Sequence, residues 1–308
     1  MNKPWEKFFN LSIVQFMAFP ETIRGEGPIV AAIEKIAMDP FWTGIEISWI
    51  KDPAVRKQVR GLLETANLPA IFGAQPPLIS QRLDLNAAEP DMRKKAVNQI
   101  IVCMDMAAEM NIHHLSLISG WDPGADKRAE AKKFLEESVL KICEYGQSQL
   151  ISVNLEIFDR DYDVHALLGP LEESAVFSAR IKRDFPDFGL LYDLSHQAIL
   201  NQNTRSALTL LKDHLVHVHL GNCTLKPNDP LYGDKHPRIG YTGGAVGVPE
   251  LTEFISGLFE IGYLEEETDQ ANKKKPWVGF EVKPMPGESS ELLLAGTKRA
   301  FIKAWSDL

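Results

Sequence analysis

Cysteine is scarce in this chain. Cys103, Cys143 and Cys223 are the only three in 308 residues, they stand far apart, and no C-x-x-C occurs. An odd, scattered set argues against a disulfide framework and against a thiolate zinc site. Long apolar runs are missing too, and nothing approaches the ~20 residues that a membrane helix needs. The opening stretch from Met1 to Lys7 lacks the apolar core of a secretory leader. A reducing cytoplasm is therefore the expected compartment. Positive charge is in deficit: 33 Lys and Arg face 42 Asp and Glu, a net charge of −9. That balance disfavours binding along a phosphate backbone, so neither nucleic acid nor a membrane is an expected partner. Gly243-Gly244 and Gly247 form no strand–GxGxxG–helix unit, which removes a nucleotide loop from consideration.

What remains is globular, with 44% hydrophobic and 24% charged residues. Short apolar runs alternate with longer segments of helical spacing. The expected strands are Leu11–Phe16, Gly44–Ser48, Ala70–Ala74, Leu115–Ser119, Ser152–Ile157, Gly189–Asp193, Val216–Leu220 and Val278–Val282. Several are nearly continuous in apolar residues, as parallel strands buried on both faces should be. The expected helices are Ile29–Ala37, Pro53–Ala66, Asp91–Met110, Ala129–Tyr145, Leu171–Arg183, Thr204–Lys212, Pro249–Ile261 and Glu291–Trp305. Pro53, Pro90 and Pro249 sit at helix starts, where a missing N–H costs nothing. Eight strand–helix units in one chain predict an α/β fold, a single (β/α)8 TIM barrel spanning residues 1–308. Two stretches interrupt the rhythm. Gly221–Val248 is a long loop after strand seven, and residues 265–275 carry a charge run expected to be a solvated excursion.

Chemistry in such a barrel sits at the C-terminal ends of the strands. Strand five ends in Glu156, strand six in Asp193 and strand eight in Glu281, while strand seven carries His217 and His219 on one face. A carboxylate inside an apolar strand is seldom buried unless it is paired or holds a metal. Three carboxylates and an imidazole from four successive strands make a suitable ligand set for Mn²⁺, Mg²⁺, Co²⁺ or Zn²⁺. His196 follows three residues after Asp193, placed to hold substrate or shuttle a proton. The long loop contains Asp234, His236 and Arg238, which would line the barrel mouth or form a capped turn with a surface histidine.

Four of these features together resemble the xylose isomerase-like TIM-barrel superfamily of sugar isomerases, epimerases and endonuclease-IV-type enzymes. They are Glu156 on strand five, D-x-x-H at Asp193 and His196, H-L-G-N from His219 to Asn222, and G-F-E ending at Glu281. LFEIGY, from Leu258 to Tyr263, is similar as well. The resemblance spans almost the whole chain and is strongest over residues 150–285. It implies one divalent metal ion, Mn²⁺ or Mg²⁺ first, held by Glu156, Asp193, His219 and Glu281, with His196 beside the substrate. In the ketose epimerase branch the metal holds adjacent sugar oxygens and two ligand glutamates exchange protons with the substrate; Glu156 and Glu281 match those places. The endonuclease-IV branch has extra histidines after strands three and four. This chain has Gln75 and Gly120 in those regions, although Asp234-Lys235-His236 is similar to that branch's third-metal pattern. The loop from Asn222 to Gly244, with YGDKHPR and a later Gly-Gly, is similar to the larger (alpha) subunit of C-glycoside deglycosidases. Those enzymes cleave the carbon–carbon bond between a 3-oxo sugar and an aromatic aglycone, and pair the barrel with a small β-rich subunit.

The resemblance thus implies a metal-dependent carbon–carbon lyase on a glycoside, with an oligomeric assembly and a small β-rich partner. Sugar isomerisation or epimerisation through an enediolate is the alternative, and an endonuclease-IV-type hydrolase or a non-catalytic barrel subunit stands behind it. All the sugar-active branches begin by removing a proton beside a carbonyl. His196, His236, Glu156 and Glu281 are the candidate acid–base groups. Expected substrate contacts are Glu46, Gln75, Trp121, His196, Asp234, Arg238 and Lys283. Glu46 reads equally as a sugar ligand or an ion-pair member, Trp121 and Phe158 as stacking platforms or rim packing, and Lys283 as a contact or a surface residue. His113 and His114 precede strand four and read as structural, and Met104, Met106 and Met110 as helix-face core.

Overall fold

The computed structural model describes residues 3–266 and 275–308. Eight strands form one parallel sheet: β1 (Asn10–Ile13), β2 (Ile45–Ile47), β3 (Ala70–Gly73), β4 (His114–Ile118), β5 (Ser152–Ile157), β6 (Gly189–Asp193), β7 (Leu215–Gly221) and β8 (Trp277–Glu281). Their order is β1-β8-β7-β6-β5-β4-β3-β2, and an isolated parallel bridge between Val14 and Glu46 joins β1 to β2. The architecture is a single (β/α)8 barrel. Every strand expected from the apolar runs is present, with ends shifted by a residue or so except at β1. The charge run at 265–275 falls largely on residues 267–274, which lie outside the described residues. No helix among the described residues is long and apolar enough to cross a membrane.

Eight principal helices follow the strands. Ile29–Ala37 and Pro53–Ala66 keep the expected bounds, and the others shift by one to three residues. Local chemistry sets several ends. Asp52 accepts from Ala54 N–H at the start of Pro53–Ala66, and Asn67 ends that helix in the left-handed region at φ 49°. Ser289 caps Ser290–Ser306 by accepting from Leu292 N–H.

The expected strand Leu11–Phe16 is corrected. It ends at Ile13, and Gln15–Ala18 forms a helical turn instead. The turn carries Phe16 towards β3, where Gly73 leaves room for it: a Cβ there would stand 2.9 Å from Phe16 Cζ. Two more short helices, Gln75–Ser80 and Leu194–Ile199, follow β3 and β6 directly. All three lie at the C-terminal end of the barrel strands. Their length hides them from periodicity, because one or two turns show no repeat.

The core lies between the sheet and the helical ring, and its aromatic part seals the β1–β8 seam. Phe301, on the last helix, is fully buried and meets Trp5, Phe9, Phe41, Phe280 and Trp305 at ring-centroid distances of 5.4 to 6.3 Å. Met104 and Met110 are buried, as expected for helix-face core. Phe301→Ala removes this hub, so a loss of about 3–5 kcal/mol is expected in a denaturant titration.

Candidate functional site

Four adjacent strands bring four side chains to one point. Glu156 comes from β5, Asp193 from the end of β6, His219 from β7 and Glu281 from the end of β8. The parallel register sets Asp193 beside His219 and Gly221 beside Glu281. Imidazole Nδ1 of His219 lies 2.9 Å from Glu281 Oε2, 3.9 Å from Glu156 Oε1 and 3.9 Å from Asp193 Oδ2. One ligand atom from each of the four residues falls within 4.8 Å of the others. Glu156 Oε1 and Asp193 Oδ2 are buried without a hydrogen-bond partner. Buried polar atoms are seldom left this way, and here two carboxylate oxygens point into the same space, with His219 Nδ1 and Glu281 Oε2 paired beside them. An oxygen-rich set with one imidazole suits a hard or borderline divalent cation, so the residues present fit a metal.

The remaining atoms of these side chains are tied down. Gln75 Nε2 donates to Glu156 Oε2 at 2.7 Å. The Asp193 carboxylate accepts through Oδ1 from Gly221 N–H at 3.1 Å and from Ser195 N–H, which leaves Oδ2 to face the cluster. Gly221 is needed for this, since a Cβ there would stand 2.6 Å from Asp193 Oδ1. The electrostatics match the crowding. Burial, reinforced by the Glu281 charge, pushes the Glu156 carboxyl up to about 8. Burial also works to raise Glu281, but the neighbouring His236 and His219 overcome it and hold its pKa below the usual value.

A second group stands beside the first. Asp234 and His236 come from the loop after β7, and His196 from the short helix after β6. The two Asp234 carboxylate oxygens face one imidazole each, His236 Nε2 at 3.0 Å and His196 Nε2 at 3.2 Å. His196 Nδ1 also faces an acceptor, the Ile157 carbonyl at 2.7 Å. With acceptors on both sides, both ring nitrogens of His196 carry hydrogen. Burial opposes that charge, and Asp234 overrides it to raise the His196 pKa well above its ordinary value. For His236, burial is again opposed by Asp234 and Glu281, and its pKa rises to about 10. The two groups meet where His236 Nε2 stands 3.6 Å from Glu281 Oε1. Asp163, in the loop after β5, holds the β7 loop by accepting from Asp234 N–H at 2.9 Å and from Lys235 Nζ at 2.7 Å.

Glu46 is buried inside the barrel and engaged with Ser12, His217 and His219. Gln75 is spent on Glu156. Arg238 turns outward, 43% exposed, towards Glu288, Met285 and the Tyr241 ring. Trp121 is half-buried, and its carbonyl accepts from Asn86 Nδ2. Lys283 N–H donates to the His236 carbonyl at 2.7 Å, which fixes the β7 loop against the end of β8. Phe158 is buried with its ring 4.6 Å from that of His196. His114 packs against Trp277 at the far end of the barrel. Sequence reasoning missed the supporting roles of Ser12, His217, Gly221 and Asp163. The alternation of His217 and His219 was the available signal for His217; the others become visible only once the strands are closed into a ring.

A sequence profile of the family described as xylose isomerase-like TIM barrel matches residues 32–282. No curated protein sequence gives a significant match. Among solved structures, D-psicose 3-epimerase of Clostridium cellulolyticum H10, solved with D-tagatose, is 17% identical with a TM-score of 0.72, covering 96% of this chain and 98% of that one. The IOLI protein, solved with a bound zinc atom, is 12% identical with a TM-score of 0.71, covering 97% and 98%. The 3-keto-D-glucoside 4-epimerase of E. coli is 13% identical with a TM-score of 0.65, covering 94% and 98%. These likenesses are of fold.

The cluster makes a direct prediction. Mn²⁺ at a hundred times its dissociation constant should stabilise the chain by about 2.7 kcal/mol, seen as a rise in melting temperature. Glu281→Gln should abolish the rise. Because a proton on Glu156 competes with the cation, apparent affinity should increase as pH rises towards about 8.

Proposed function

The chain belongs to the xylose isomerase-like TIM-barrel family, and from that premise we propose that it is a divalent-metal-dependent sugar epimerase or isomerase. The observation that carries this reading is the convergence of one ligand atom each from Glu156, Asp193, His219 and Glu281 within 4.8 Å of one another, with Glu156 Oε1 and Asp193 Oδ2 buried and unpartnered. Glu156, Asp193, His219 and Glu281 would hold one Mn²⁺ or Mg²⁺ ion. Bound there, such an ion supplies positive charge that offsets the negative charge developing on sugar oxygens during proton removal.

The chain's own residues would do the rest. Glu281 is the most accessible of the four side chains, at 13% exposure, and is the proposed base at the carbon beside the carbonyl. Glu156 is the proposed second proton carrier, with Oε2 fixed by Gln75 and Oε1 left to meet the substrate. Return of a proton to the opposite face would epimerise the sugar, and return to the neighbouring carbon would isomerise it. His196 has both nitrogens engaged with acceptors, so it is assigned to orienting substrate oxygens through Asp234 and not to proton removal. Trp121 and Lys283 are proposed as substrate contacts at the rim.

A second reading is favoured by one observation. His236, paired with Asp234 and 3.6 Å from Glu281, adds a proton donor that epimerisation does not need. Expulsion of an aglycone through carbon does need one. On this reading the substrate is a 3-oxo C-glycoside, His236 protonates the leaving group, and a small β-rich subunit completes an oligomeric enzyme. That one solved relative in fold is an epimerase of 3-keto-D-glucosides makes 3-oxo glycosides worth including in the test.

The test is incubation with Mn²⁺ in D₂O with ketoses and 3-oxo glycosides, followed by mass spectrometry. Deuterium in an intact, rearranged sugar is expected, with Glu156→Gln and Glu281→Gln each lowering incorporation about 10²-fold or more. Released aglycone would establish the lyase instead. Metal-loaded protein that yields neither product would contradict the epimerase and isomerase reading.

A further inference from the structure

The carboxylate of Glu46 reaches His219 from across the barrel. Glu46 sits on β2 and His219 on β7, with β1 and β8 between them in the ring. Its Oε2 accepts from His219 Nε2 at 2.9 Å, and its Oε1 accepts from His217 Nε2 at 3.2 Å and from Ser12 Oγ at 2.7 Å. All four side chains are buried. The path exists because β8 carries glycine at the crossing point. A Cβ at Gly279 would stand 2.0 Å from Glu46 Oε1 and 3.1 Å from His219 Cδ2. His217 braces the pair, its ring edge-on to that of His219 at 4.7 Å and 82°.

We infer that Glu46 is the positioning residue of the metal centre, holding His219 so that Nε2 carries the hydrogen and Nδ1 is left as the ligand atom. This rests on the metal-site reading above. An ionised carboxylate only accepts, so His219 Nε2 donates to Glu46, and the Nδ1 position, which faces Glu281 Oε2 at 2.9 Å, is the one where a cation would replace the proton. That nitrogen is the one facing Glu156, Asp193 and Glu281. A carboxylate behind a ligating histidine fixes its tautomer and ring plane and raises its basicity. Gly279 and His217 are the packing that keeps the carboxylate in place. Glu46 is buried behind His219, so its effect on turnover passes through that ring.

Calorimetry with Mn²⁺ and NMR of the ¹⁵N-histidine-labelled, Zn²⁺-loaded chain test this together. Glu46→Ala should weaken Mn²⁺ binding about 10–100-fold and remove a slowly exchanging His219 Nε2–H signal. Ser12→Ala, which takes away only a donor to the other oxygen, should weaken Mn²⁺ binding much less than Glu46→Ala does. A folded Glu46→Ala protein that binds Mn²⁺ as tightly as the native chain would overturn the inference. If that variant does not fold, the native spectrum decides: hydrogen on Nε2 with metal on Nδ1 supports the inference, and metal on Nε2 overturns it. A native chain that takes up no Mn²⁺ would defeat the metal-site reading itself and this inference with it.

Discussion

Three carboxylates held against one imidazole nitrogen inside a barrel repel one another and are costly to keep ionised. Glu156, Asp193 and Glu281 are drawn from three strands, each is largely removed from water, and the His219 ring faces all of them. Mutual repulsion and burial favour protonation, which is why the Glu156 carboxyl moves up to about 8. A divalent cation resolves the conflict better than protons do, because it satisfies several lone pairs at once. The rest of the catalytic end is organised around keeping these groups close. Gln75 and the backbone at Gly221 and Ser195 take up the outward oxygens, so the inward ones have no other partner.

Glycine makes the crowding possible at two strand positions. Gly221 gives Asp193 its place, and Gly279 lets Glu46 cross to His219. Neither has a positive φ, so the requirement is for space and not for an unusual backbone. The second group, His196, Asp234 and His236, depends on a loop instead. That loop is pinned at Asp163 from one side and at Lys283 from the other, and Asn222 holds both the Arg238 carbonyl and Val246 N–H. One ordered loop thus sets an additional charged group at the barrel mouth beside the four-residue cluster, and that group is what separates the two readings of its chemistry.

The barrel itself was legible because buried parallel strands write continuous apolar runs, and a carboxylate at the end of such a run stands out. Glu156, Asp193 and Glu281 were found in this way, and period-two alternation put His217 and His219 on one face. Contacts across the ring left no such mark. Glu46 could be seen to point inward, but its partner is 173 positions away along the chain, and no local pattern joins them. Gln75 looked like a substrate contact because the short helix that turns it onto Glu156 shows no period. Being near Asp234 and His236 in sequence says little about the direction of Arg238 in an irregular loop, and it faces Glu288 and Tyr241. Side chains on regular elements could be aimed from sequence, and those on loops and single turns could not.

The central claim is that Glu156, Asp193, His219 and Glu281 form one cation site through a particular atom of the histidine. Diffraction from crystals grown with Mn²⁺, with data collected to locate manganese by anomalous scattering, tests it most directly. The account predicts a single strong peak among the four side chains, bonded to Nδ1 of His219. A peak bonded to Nε2, or manganese seated only at His196, Asp234 and His236, would contradict it.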